Sequence, residues 1–178
     1  GLSQQKEWHT ALSYSGKLIL EPFKGYNLTL STQRIRPNNK NVYMYDAGTY
    51  LNWRNWHVEA ECMYKHYAHN ELEDVWAVNT FVNYDCFFRK QSYLFKKVSF
   101  LARFDYMGNN SDGSVDEAGR LSVTDHERHR LTGGLTFSFG KPFQADLRLN
   151  YEKYFYHHLS QAKEAEQDKV VVELMLHF

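Results

Sequence analysis

His126, Glu127 and His129 form the tightest group of metal-capable side chains in this sequence, followed by His66 with His69 and the adjacent pair His157 and His158. A metal centre needs three or four ligands at a spacing that their elements can converge, and none of these groups supplies a convincing third. They fall at strand ends and in loops, where exposed histidine is ordinary, so no metal is expected. Hydrolytic chemistry would need a serine within hydrogen-bond reach of a histidine that a third group orients. Ser138 sits on a polar row without such a partner, and Ser99 has no histidine at its height on neighbouring segments. No glycine-rich phosphate cradle or nucleophile elbow occurs. The expectation is a protein that is not an enzyme, with no catalytic residue and no cofactor. Cys62 and Cys86 are too few for a disulfide framework. A turn centred near residue 72 sets Cys62 opposite about residue 82, out of register with Cys86.

The remaining chemistry is that of charge. Lys plus Arg number 21 and Asp plus Glu number 21, so no net field recruits nucleic acid or an acidic surface. Position matters more than balance. Arg54, Lys65, Arg103, Arg130, Arg148 and Lys169 share polar rows with Asp46, Glu59, Glu61, Asp85, Asp105, Asp146, Glu152 and Glu173. Lining an aqueous path, such rows set what a passing solute meets; taken singly, opposite charges on adjacent strands pair and stiffen the wall. The lining candidates are Arg54, Glu59, Glu61, Lys65, Arg103, Asp105, Arg130, Asp146, Arg148, Glu152 and Glu173.

The elements that must position them are strands. With 13 Tyr, 12 Phe and 4 Trp against 3 Pro, the composition favours β-structure and argues against disorder. Nine segments alternate with period two, at roughly 6–20, 26–36, 42–54, 56–68, 75–89, 94–107, 128–139, 143–157 and 168–178. Val98, Phe100, Ala102, Phe104 and Tyr106 oppose Ser99, Arg103 and Asp105. Leu131, Leu135, Phe137 and Phe139 oppose Arg130, Thr132, Thr136 and Ser138. An odd turn centred on Lys141 pairs Arg130 with Glu152 and Leu135 with Leu147. The tight Arg54-Asn55 turn sets Trp53 against Trp56, suited to an interfacial aromatic belt. Short connections alternate with long polar ones, notably 108–127 and 158–167. No apolar run of about 18 residues exists for a spanning helix, and the first residues carry no export-signal pattern.

The final run, Asp168 to Phe178, alternates to its terminal aromatic, in the manner of the closing strand of an outer-membrane barrel that spans hydrocarbon in ~9 to 11 residues. The expected architecture is an all-β, antiparallel transmembrane β-barrel in one unit, 1–178. Single-chain bacterial barrels normally have an even strand count. Nine is odd, so either residues 6–20 do not span or the segments are the C-terminal part of a larger barrel, and the second is the expectation. Two other readings use the same alternation: a soluble or periplasmic lipocalin-like barrel with its apolar rows inward, and a non-catalytic structural barrel in the outer membrane.

Residues 125–178 resemble the C-terminal strands of Bacteroidetes-type porins of the phosphate-selective porin O/P family. The likeness rests on the stretches Asp125 to Gly140, Lys141 to Tyr154 and Asp168 to Phe178, and on Arg103-Phe104-Asp105-Tyr106 followed by a Gly/Asn/Asp-rich loop. It covers about the last 80 residues well and the remainder in pattern. The resemblance implies a 16-stranded, homotrimeric, water-filled channel in a Gram-negative outer membrane. Small hydrophilic or anionic solutes and ions would diffuse through it passively, and membrane lipid would be its other partner. This sequence departs from that pattern in one respect: a phosphate filter calls for unopposed Lys and Arg, and the polar rows are balanced.

Overall fold

The structure, a computed structural model, describes residues 12–37, 40–70, 72–88, 95–140, 144–157 and 166–177. Its strands are β1 Tyr14–Leu20, β2 Tyr26–Ile35, β3 Val42–Trp53, β4 Trp56–Tyr67, β5 Val75–Phe87, β6 Phe95–Met107, β7 Arg128–Phe139, β8 Gln144–Tyr156 and β9 Lys169–His177. Each pairs antiparallel with its sequence neighbours, in the spatial order β1 to β9, and a 3-10 turn spans Ala68–Asn70. The chain is therefore all-β, as its period-two patterning requires. Among the described residues the first strand starts at Tyr14, later than the sequence suggested, and residues 1–11 lie outside them. The sheet is open: β1 pairs with β2 alone and β9 with β8 alone.

The turns explain the registers. Arg54 sits at φ 54° in the two-residue turn between β3 and β4, which sets Trp53 directly against Trp56. Gly25 (φ 89°) closes the turn before β2 and accepts a 2.6 Å bond from the Asn52 amide. A Cβ there would lie 2.6 Å from the Asn52 carbonyl oxygen, so only glycine fits both the backbone angle and the space. The β7–β8 register differs from the sequence expectation by two residues. The turn is centred on residue 142 instead of 141, so Arg130 faces Tyr154 and Leu135 faces Leu149, while Phe139 faces Ala145. An even shift keeps every side chain on its expected face. Cys62 faces Val78, four positions from the predicted partner, and both cysteines are free thiols.

The connections 36–41, 68–74, 108–127 and 157–168, which include the two longest, leave the strands at one end of the sheet; 21–25, 54–55, 88–94 and 140–143 leave them at the other. The buried apolar cluster lies at the long-loop end, where Leu121 packs with Val42, Tyr67 and Val75, backed by Ile35, Met44 and Leu72. The 108–127 connection that carries Leu121 is held by bridges Asn110–Asp125 and Val115–Leu121 and lies over the β3–β5 part of the sheet.

Candidate functional site

The registers divide the sheet into two unlike faces. One carries Lys17, Ser31, Asp46, Glu59, Glu61, Lys65, Asn79, Asp85, Arg103, Asp105, Arg130, Asp146, Arg148, Glu152, Lys169 and Glu173. Every lining candidate from the sequence is there except Arg54. Arg54 belongs to the turn, where its guanidinium lies 5.0 Å from the Trp53 ring centroid, because a two-residue hairpin leaves that position outside both strand rows. Phe178 lies outside the described residues. The polar face is the concave one. It holds a cavity of about 1000 Å³ reaching from Lys17 on β1 to Met107 on β6, and another bounded by Glu61 on β4 and Tyr154 on β8.

On the β5–β9 wall the charges form a continuous ladder. Asp105 accepts from the Asn79 amide at 2.5 Å, from Arg103 at 2.8 Å and from Arg130 Nε at 2.8 Å. Arg130 continues to Glu152 at 3.5 Å and to the Tyr154 hydroxyl at 3.2 Å, and Lys169 reaches Glu152 from β9 at 3.5 Å. The pairing of Arg130 with Glu152 that the sequence suggested thus survives as a diagonal contact. Lower down, Asp85 takes Lys97 and Ser99, both at 2.6 Å; nearer the β9 edge Arg148 meets Glu173 at 2.9 Å. At the loop end Arg128 holds Asp125 at 2.7 Å and Glu166 at 2.8 Å, tying both long connections to β7. Ser99 therefore serves an aspartate rather than a histidine, and Ser138 is buried.

The β1–β4 wall is built differently. Asp46 accepts from the Ser31 hydroxyl at 2.9 Å through one oxygen, and its other oxygen is buried with no partner. Glu59 meets the ring of His57 at 2.6 Å. Lys65 donates to the Asn110 side-chain oxygen at 2.6 Å and to the Ser111 carbonyl at 2.9 Å, so its ammonium is held by neutral oxygens of the overlying 108–127 connection. At the loop end, outside the strands, Asp74 accepts from the Tyr64 hydroxyl and from His66 (2.7 Å). The Tyr64 bond is the main reason its carboxyl is held below the ordinary carboxylate range.

The opposite face is apolar and outward. Val170 and Leu174 on β9 are 69% and 65% exposed, and Leu18, Leu131 and Leu149 continue the same surface. Its middle carries Ala47, Val58, Cys62, Val78, Val82, Ala102 and Leu135, and aromatic side chains border it at both heights. Trp53, Trp56, Tyr84 and Phe100 lie toward the short turns, with Trp56 and Tyr84 rings 4.6 Å apart. Tyr45, Tyr64, Trp76 and Tyr106 lie toward the long loops, with Tyr64 and Trp76 rings 4.4 Å apart. Sequence reading found the lower border through its Trp pair. The upper one lacked a tight turn to mark its height, although aromatics at matching positions near four strand ends were the available signal. No protein-family model, curated protein or solved structure matches this chain.

Proposed function

We propose that the sheet is the wall of an outer-membrane β-barrel, with its apolar face against hydrocarbon and its charged face lining water through which small hydrophilic solutes diffuse passively. The observation that carries this reading is the apolar band bordered by aromatics at both heights, on the face opposite the charges. Such girdles are where amphipathic rings meet the two membrane interfaces. Eight residues separate Trp56 from Tyr64, so the band follows about 26 Å of strand, the scale of a barrel's apolar belt. Buried apolar side chains among the described residues are few, and so wide an exposed apolar face marks a membrane or partner surface. A lipocalin-type barrel would instead turn these rows toward an enclosed ligand.

Nine antiparallel strands leave β1 and β9 running in the same direction. Closing the barrel through antiparallel pairs alone takes an odd number of further strands, in line with a larger porin-like assembly. Planar-bilayer recording on the purified full chain is the test. Stepwise ion conductance is expected, with cation preference reduced in the Glu61→Gln variant; a folded, membrane-inserted protein that passes no current would defeat the channel reading and leave a structural barrel.

A further inference from the structure

Gly48 stands midway along β3, and the fold itself does not ask for glycine there. The β2–β3 and β3–β4 registers pass through it without a shift, setting it between Thr29 and Glu61. Among the described residues, a Cβ at Gly48 would meet Glu61 Cγ at 3.8 Å and the Ala60 carbonyl oxygen at 4.0 Å, both ordinary contacts, and its φ is not in the left-handed region. A glycine inside a strand forfeits packing and costs backbone entropy; where one occurs, it marks a bulge, a tight bend, or a place that a ligand or another backbone approaches closely. The unbroken registers exclude a bulge. A bend would crowd the inner side, and a second backbone would stand over the floor; the open space over Gly48 shows neither. A ligand remains.

The gap lies in a cavity of about 300 Å³, near the lower end of the range for small-molecule sites. Tyr50 bounds it toward the short turns and Asp46 toward the long loops; Glu59 and Glu61 line its β4 side, Thr29 and Lys17 the other. Tyr50 stays 37% exposed on this water-lined side, with its ring beside that of His57, 6.4 Å between centroids. One Glu59 oxygen meets the His57 ring at 2.6 Å, and the side chain is half exposed. The geometry points to a saccharide subsite that seats one pyranose ring: its C–H face on Tyr50, its edge over the bare backbone at Gly48, and its hydroxyls on the flanking carboxylates and Lys17. A sugar hydroxyl both donates and accepts, so it matches carboxylates and an ammonium alike. A small anion would meet three carboxylates here, and a small cation would meet Lys17. An open-chain polyol carries the hydroxyls without a rigid C–H face for the aromatic ring.

The inference rests on the reading of this face as water-lined, and it names a solute class for that path. The test is saturation-transfer difference NMR on the full chain in a detergent without a sugar headgroup, titrated with methyl β-glucopyranoside, glucitol and choline. The glucoside should bind saturably, and glucitol at least about tenfold more weakly, the scale of one lost aromatic contact. Gly48→Ala has room for its Cβ, so it should fold as the unaltered chain does and bind the glucoside about tenfold less, the effect of one methyl group placed in a fitted site. Tyr50→Leu should lose the preference for the glucoside over glucitol, and Tyr50→Phe should keep it. On the unaltered protein, equal binding of glucoside and glucitol, tighter binding of choline, or no saturable binding at decimolar glucoside overturns the subsite. Unchanged glucoside binding by a folded Gly48→Ala, or a ring preference that survives Tyr50→Leu, overturns it as well. Conductance without sugar binding removes this inference alone; sugar binding without conductance removes the channel and leaves the subsite standing.

Discussion

The two walls of the concave face use similar side chains for different ends. From β5 to β9 the cations have carboxylate partners, and the ladder Asn79–Asp105–Arg130–Glu152–Lys169 crosses five strands. From β1 to β4 Asp46 meets a hydroxyl and Glu59 an imidazole, and Lys65 meets neutral oxygens. Paired charges cancel at a distance and fix strand positions; unmatched charges leave a field for a solute to feel. One wall is scaffold, and the other faces whatever occupies the trough.

If that division is right, the largest stability loss should come from the centre of the ladder. Asp105→Ala removes the carboxylate that two guanidiniums and the Asn79 amide share. It should cost about 2–4 kcal/mol, at the lower side of the range for breaking a buried ion pair because Asp105 remains partly exposed. Urea unfolding in detergent micelles measures it, and a loss near zero would show that the ladder is ornamental. On the other wall, integrity depends on backbone geometry. Gly25→Ala forces a side chain into the left-handed region and against the Asn52 carbonyl, so it should cost at least about 1–2 kcal/mol in the same assay. Ser31→Ala removes one donor to Asp46, with a loss of about 1–2 kcal/mol. Arg148→Ala, at the half-exposed edge of the ladder, should cost no more than about 1 kcal/mol. Losing as much there as at Asp105 would mean that the rungs act as one unit.

Acid titration separates the walls in another way. Asp74 has a folded pKa below its unfolded value, so its contribution is complete above the ordinary carboxylate pKa of about 3.9 and disappears as pH falls through the lower folded value. The wild-type stability curve should therefore drop more steeply below that pH than the curve of Asp74→Asn. Parallel curves would remove Tyr64 and His66 as its stabilising partners.

The strands were legible because alternation at period two is a local property, visible in runs such as Val98 to Tyr106. The Trp53–Trp56 register was legible because a two-residue turn leaves one way to pair. Between β7 and β8 the centre of the turn was misjudged by one residue, which moved the pairing by two and replaced Glu152 with Tyr154 opposite Arg130. The convergence of Asp105 with Asn79 and Arg130 was not legible. The first contact depends on the β5–β6 register and the second on the β6–β7 register, which are joined through 88–94 and 108–127, and connections of that length do not dictate alignment. The placing of Lys65 under Asn110 and Ser111 was hidden for the same reason, since it joins residues 45 positions apart.

By itself, the sequence determined which residues share a strand face, because side-chain direction follows from the pleat and survives any even slip in pairing. Only the tertiary structure decided which charges touch and which face is concave. Those depend on how far each strand slides past its neighbour and where the 108–127 connection comes to rest, and both are settled by contacts between residues far apart in the chain.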